Sequence, residues 1–127
     1  MFGTRSASNE LDYRSREAGI AVLHLVLNSR LSPNDQIEIV QAMYDKLSRT
    51  CDKYLEPLKH NDPLKFYGFI HNLEKLHRVY IKLLQIKYLN SEQLEPPYVR
   101  RRIEQTAGKA VEPIFWLADA CKILSEK

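Results

Sequence analysis

The segment from Pro63 to Asn90 constrains the fold more than any other part of the chain, because it is long, uninterrupted and carries two different stripes. Apolar residues recur at helical spacing on one face: Phe66, Phe69, Ile70, Leu73, Leu76, Tyr80, Leu83 and Leu84. A second face carries His71, Lys75, Arg78, Lys82 and Gln85. At about 1.5 Å per residue, roughly 27 residues form a rod of about 40 Å. A chain of 127 residues that contains such a rod is expected to pack helices side by side.

Length and composition favour a single soluble globular domain over residues 1–127, with a flexible N-terminus at 1–8. Hydrophobic residues make up 44% of the chain and charged residues 28%, which is ordinary for this class. Only 4 glycines and 6 prolines are available for the many tight turns of an all-β fold. The first residues lack the apolar core of a signal peptide, and the longest apolar run, Ala18 to Leu27, is too short to span a bilayer. The expected location is cytoplasmic.

Helix-start signals divide the chain into four predicted helices. The first runs from Ser8 or Asn9 to about Asn28, although its apolar end fits a buried strand as well. The second begins with Ser32 as cap and Pro33 at the first helical position, within an S-x-x-D capping box; Pro57 bends or ends it, and residues 59–61 form a loop. The third opens at Asp62-Pro63 by the same cap-and-proline pattern, and Pro96-Pro97 open the fourth.

Apolar seams with alternating spacings of three and four residues indicate how these helices pack. The second helix carries Ile37, Val40, Tyr44, Leu47, Cys51, Tyr54 and Leu58, and the fourth carries Ile103, Ala107, Ala110, Ile114, Leu117, Cys121 and Leu124. Because the last seam continues through Pro113, we predict one helix kinked there, with Gly108 easing the bend. The predicted fold is all-α, an up-down-up-down antiparallel four-helix bundle with a kinked fourth helix. The predicted core includes Tyr44, Leu47, Ile70, Leu73, Tyr80, Ile114 and Leu117, and both cysteines are expected to be buried free thiols.

Positive charge is concentrated in the middle of the second half. The net charge is only +3, but between Leu64 and Arg102 there are 8 Lys or Arg residues against 3 Asp or Glu. The cations that we group as a candidate nucleic-acid-binding surface are Lys75, Arg78, Lys82, Lys87, Arg100, Arg101 and Arg102. An arginine cluster in the first turns of a helix opposes the helix dipole, so helix stability alone does not explain it. The alternatives are an acidic protein partner or plain solvation.

Phe115 and Trp116 are a second candidate site. Successive helical residues point about 100° apart, so the two rings cannot share one face. We therefore expect that they are not both in the monomer core, and that one of them lies at a partner or oligomer interface, where aromatic residues are enriched.

Enzyme and metal motifs are weak in this sequence. His71, Glu74 and His77 form H-x-x-E-x-x-H, but the second E-x-x-H and the further carboxylates of a di-iron bundle are missing. Neither cysteine has a histidine in its own helical turn, and there is no phosphate-binding loop or G-x-S-x-G motif. We expect no catalytic residue, no metal and no cofactor.

The second half resembles the 23S ribosomal RNA intervening-sequence proteins and their relatives, the accessory variability determinants of diversity-generating retroelements. The similar stretches are 72–76 (NLEKL), 88–92 (YLNSE) and 108–111 (GKAV), the last in place of the family's G-R-x-L. The family's A-E-G after the second helix is absent, and Leu55-Glu56-Pro57 stands there. The resemblance implies a four-helix protomer, a ring-like homo-oligomer, a basic nucleic-acid surface and, for the retroelement branch, a reverse-transcriptase partner.

Together these features favour a non-enzymatic accessory protein that binds nucleic acid, RNA or DNA without sequence preference, or a protein partner, through a basic face on the third and fourth predicted helices. The main alternative is a pure protein-interaction module, such as a chaperone, an inhibitor or an immunity protein.

Overall fold

A computed structural model describes residues 31–126, and nearly all of this range is helical. The helices are α1 (Pro33–Asn61), α2 (Pro63–Leu89), α3 (Pro97–Gly108) and α4 (Val111–Ser125). No strand occurs in this range, so the all-α prediction is confirmed for it. The predicted flexible N-terminus and the predicted first helix fall outside the described residues.

α1 begins where the sequence predicts and extends further than predicted. The Ser32 hydroxyl accepts a hydrogen bond from the Asp35 N–H at 3.1 Å, with Pro33 as the first helical residue. Of the two alternatives predicted at Pro57, a bend or an end, the end is wrong, because the helix continues through this proline to Asn61. Leu58 is buried, so one further helical turn places an apolar side chain in the core and offsets the hydrogen bond that Pro57 cannot donate.

A single residue, Asp62, joins α1 to α2, in place of the predicted loop at 59–61. Its N–H donates to the Leu58 carbonyl at 2.8 Å and closes α1. Its carboxylate accepts from the Lys65 N–H at 3.2 Å and opens α2. The two long helices then run antiparallel, because the Tyr44 and His77 ring centroids lie 5.1 Å apart while the far end of α2 contacts the start of α1.

α2 ends in a turn that contains two left-handed residues, neither of which is glycine. Ser91 and Glu92 have φ of 54° and 63°, in the left-handed region. The Glu92 N–H donates to the Lys87 carbonyl at 2.9 Å and the Ser91 N–H to the Tyr88 carbonyl at 3.0 Å, which satisfies carbonyls at the helix end. The chain then returns alongside α2.

The predicted kinked fourth helix is instead two helices. The α-helical hydrogen bonds are interrupted at Lys109 and Ala110, whose N–H groups donate to Thr106 and Ala107, three residues back, at 3.1 and 3.0 Å. The prediction placed the bend at Pro113, but Pro113 is the third residue of α4. In the first turn of a helix a missing N–H costs no intrahelical hydrogen bond, so this proline fits a new helix start better than a helix interior.

The core lies between α1, α2 and the α3–α4 pair, and it corrects the face predicted for α2. Leu47, Ile114 and Leu117 are fully buried, as predicted. The other predicted core residues, Tyr44, Ile70, Leu73 and Tyr80, are only half-buried. The buried stripe of α2 is Phe69, Asn72, Leu76, Val79, Leu83 and Ile86. Phe69, Leu76 and Leu83 belong to the apolar face that the sequence predicts, whereas Asn72, Val79 and Ile86 do not. The polar Asn72 interrupts this side of the stripe, and its side chain is satisfied by donating to the Gly68 carbonyl at 2.8 Å.

Candidate nucleic-acid interface

The register of α2 against α3 and α4 is set by one ion pair and one ring contact. The Lys75 ammonium lies 3.3 Å from the Glu112 carboxylate, and the Phe69 and Trp116 rings meet edge to face with centroids 5.3 Å apart. Both contacts join a residue of α2 to one of α4, and the numbers rise on one helix as they fall on the other. α4 therefore runs antiparallel to α2. α3 does so too, because Arg100 near its start contacts Leu31 beside the start of α1, which is where the far end of α2 lies.

From this register, exposed cations of α2 and α3 fall along one seam. Lys82 follows Lys75 by seven residues, two helical turns on the same face, and Arg78 lies between them. On the other helix, Lys109 precedes Glu112 by about one turn, and Arg102 lies two turns further back. We define the basic strip as the exposed cations near this seam, Arg78, Lys82, Arg102 and Lys109, together with Arg101, which is the exposed neighbour of Arg102 on α3.

Most of the strip is not neutralised within the described part of the chain. Arg78 pairs with Glu74 at 3.6 Å on an exposed surface, where such a pair contributes little. Among residues 31–126, no carboxylate oxygen lies within 4.0 Å of the charged nitrogens of Lys82, Arg101, Arg102 or Lys109. No carboxylate of residues 31–126 therefore competes with an external anion for these four side chains.

Lys109 is the member of the strip that the sequence analysis missed. It was hidden because the fourth predicted helix was treated as continuous and its cations were counted only to Arg102. The available signal was the spacing from Arg102 to Lys109, which is seven residues and returns to nearly the same helical face.

Two predicted cations hold the helices together. The half-buried Lys75 bridges α2 to α4 through Glu112. The half-buried Lys87 donates to the Asn34 side-chain oxygen at 3.3 Å and links the end of α2 to the start of α1. These two lysines contribute to the positive potential of the surface, but their ammonium groups are already engaged.

Arg100 does not belong to the exposed surface, and the predicted arginine cluster is divided. The Arg100 guanidinium donates to the Glu104 carboxylate at 3.2 Å and to the Leu31 carbonyl at 2.9 Å, and only 32% of the side chain is exposed. Three consecutive helical residues span about 200° around the axis, so they cannot all face one ligand. Arg101 and Arg102 are exposed, and Arg100 ties α3 to the residue that precedes α1.

Trp116 and Phe115 lie on the same side of the molecule as the N-terminal part of α2. The Trp116 side chain covers Gly68, where an added Cβ would lie 2.7 Å from the indole Cζ2 and Cη2 atoms. Trp116 is 36% exposed and Phe115 is half-buried, so neither ring is fully buried. Their role at an interface stays a prediction.

The H-x-x-E-x-x-H residues are separated by their contacts. His77 packs on Tyr44, Glu74 pairs with Arg78, and His71 is exposed. Across the described residues, no group of three or more His, Cys, Asp and Glu side chains is placed to hold a metal ion. In the same range, no helix combines the length and the apolar character needed to cross a membrane.

Comparison with known proteins adds no assignment. No protein-family model matches the chain, and neither the curated proteins nor the solved structures contain a significant match.

Proposed function

We propose that this protein is a non-enzymatic accessory factor whose basic strip binds the phosphate backbone of RNA or DNA without reading the base sequence. The observation that carries the proposal is the row of exposed cations in the basic strip, of which only Arg78 has a carboxylate partner among residues 31–126. Exposed lysines and arginines that are not neutralised locally attract the regular negative charge of a nucleic-acid backbone.

The spacing of the strip suits backbone contact better than base recognition. Arg78 and Lys82 are one helical turn apart, so their charged groups can meet successive phosphates of one strand. Arg101 and Arg102 extend the row on α3, and Lys109 flanks it. Long, flexible side chains on a convex helical surface contact phosphates readily but do not enter a groove in a fixed orientation.

The number of contacts sets the expected salt dependence. Four to five phosphate contacts give a slope of log K against log salt of roughly −3.6 to −4.5 on duplex DNA, at about −0.9 for each contact. On single-stranded RNA the slope should be shallower, at about −0.7 for each contact. Dissociation constants on the order of 10⁻⁴–10⁻⁶ M are expected for contact of this non-specific kind.

A titration with two charge-matched variants tests the proposal. Mixed-sequence RNA and duplex DNA are titrated at several salt concentrations with the wild type, with Arg78→Glu/Lys82→Glu, and with Arg49→Glu/Lys59→Glu. Each double variant replaces two positive charges with two negative ones, so the net charge falls by 4, from +3 to −1. Arg49 and Lys59 are exposed on α1, outside the strip.

The proposal predicts that the strip variant loses most of its affinity and that its slope becomes less negative by about 2, whereas the α1 variant loses far less affinity. If both variants lose affinity equally, net charge alone explains binding and the strip is not the site. If the wild type does not bind even at low salt, the nucleic-acid proposal fails. The alternative, a pure protein-interaction module with an acidic partner, then takes its place.

We also propose the finer architecture that the sequence predicts: a cytoplasmic up-down-up-down four-helix bundle in which a helix near 9–28 joins the described helices. The resemblance to the intervening-sequence and retroelement accessory proteins supports a ring-like homo-oligomer, with Phe115 and Trp116 at the interface, and a reverse transcriptase as partner. The molecular mass in solution tests the oligomer. A defined multiple of 14.9 kDa supports it, and a monomer at all concentrations contradicts it.

A further inference from the structure

The two cysteines are distant in sequence and adjacent in space. Cys51 lies on α1 and Cys121 on α4, 70 residues later, with their sulfur atoms 3.4 Å apart. Both residues have no exposed surface. Both thiols are predicted from the sequence to be buried, but nothing in the sequence places them in contact.

From this contact we propose that Cys51 and Cys121 are a modification site, at which oxidation forms an intramolecular disulfide that joins α1 to α4. A disulfide bond is about 2.05 Å long, so the sulfur atoms must approach by about 1.4 Å. Side-chain rotation and a small approach of the helices are sufficient, without a change of fold.

The reaction requires a two-electron oxidant, and hydrogen peroxide is small enough to reach a buried thiol. The thiolate of one cysteine attacks a peroxide oxygen and breaks the O–O bond, which gives a sulfenic acid and hydroxide. The second sulfur attacks the sulfenic sulfur, the S–S bond forms, and the sulfenic oxygen leaves as water. In total, two thiols and one hydrogen peroxide give one disulfide and two waters.

Burial determines the kinetics and the selectivity of this site. A buried thiol meets bulky reagents only when the core opens locally, so large disulfides such as oxidised glutathione should react slowly. The adjacent thiol captures the sulfenic acid before further oxidation, which favours a reversible disulfide over sulfinic acid. The proposed disulfide lies in the core between α1 and α4, apart from the exposed basic strip, and it does not depend on the proposed nucleic-acid binding.

The test compares reduced and peroxide-treated full-length chain by intact mass, thiol counting in denaturant and thermal unfolding. The chain has only 2 cysteines, so an intramolecular disulfide must join this pair. The expected product is a monomer on a non-reducing gel, lighter by two hydrogen atoms, with no thiol left to alkylate. Closing so long a loop should raise Tm by on the order of 10 °C, and dithiothreitol should reverse the increase.

Two single variants, Cys51→Ala and Cys121→Ala, complete the design. Neither should show a peroxide-dependent increase in Tm, and the remaining thiol should stop at the sulfenic acid or oxidise further. The proposal is overturned if the wild type keeps both thiols, if it gains oxygen mass at separate cysteines, or if it forms only disulfides between chains. Because wild-type chain is compared before and after oxidation, the result does not depend on whether a variant folds.

Discussion

The contact between Gly68 and Trp116 predicts an unusual response to a substitution that normally stabilises helices. Replacing glycine by alanine inside a helix normally stabilises the helix by about 0.8–1 kcal/mol. At Gly68, however, the new methyl group would lie 2.7 Å from two atoms of the Trp116 indole, well inside van der Waals contact. The indole is rigid, so the whole ring must move.

The sign of the effect follows from comparing these two contributions. Overpacking of this kind costs about 1–3 kcal/mol, and displacing the indole also disturbs its edge-to-face contact with Phe69, which is worth about 0.5–1.5 kcal/mol. We therefore expect Gly68→Ala to lower the free energy of unfolding by about 1–3 kcal/mol. In a Trp116→Ala background, the same substitution should raise it by up to about 1 kcal/mol, because only the helix propensity remains.

Gly108→Ala is the matched control, since an added Cβ there meets nothing within 4 Å and its φ is not positive. It should be neutral or stabilising by up to about 1 kcal/mol. Urea unfolding should be followed by far-UV circular dichroism, because Trp116 is the only tryptophan and its fluorescence disappears in the background variant. If Gly68→Ala stabilises the chain as much as Gly108→Ala while Trp116 is present, the ring does not rest on Gly68.

Three further predictions can be measured by the same urea unfolding. Leu76→Ala should lower the free energy of unfolding by roughly 2–5 kcal/mol because Leu76 is fully buried, whereas Leu73→Ala, at a half-buried position, should lower it by less than about 2 kcal/mol. Equal losses would contradict the burial of the Leu76 face of α2. Arg100→Ala should lower the free energy of unfolding by about 1–3 kcal/mol because it removes the hydrogen bonds to Leu31 and Glu104, whereas Arg101→Ala should lower it by less than about 0.5 kcal/mol. The reverse order would contradict the division of the arginine cluster. Ser32→Ala should cost about 1 kcal/mol, and no loss would show that this cap is dispensable.

Helix starts were predictable from the sequence because their signals are local. Ser32-Pro33, Asp62-Pro63 and Pro96-Pro97 each place a cap or a rigid φ next to the first helical turn, and all three begin helices where predicted. The seam of the second predicted helix also identified Leu47 and Cys51 as buried. These features depend only on residues within about two turns of each other.

Helix ends and the orientation of surface residues were less predictable because they depend on distant contacts. Pro57 did not end α1, since the burial of Leu58 against other helices favours continuation. The end of α2 uses Ser91 and Glu92 in a conformation usually given to glycine, so the sequence carries no glycine signal for it. Arg100 turns inward because of the Leu31 carbonyl, 69 residues away in sequence.

The interruption at Lys109 and Ala110 has a consequence for how the molecule opens. It leaves α3 with 12 residues and α4 with 15, lengths at which an isolated helix is marginal in water. Each contacts both α1 and α2, so each is held mainly by docking onto that pair. α3 and α4 can therefore detach in separate local unfolding events, each with its own hydrogen-exchange protection. A disulfide at Cys121 would raise the free energy of opening α4 and leave that of α3 almost unchanged.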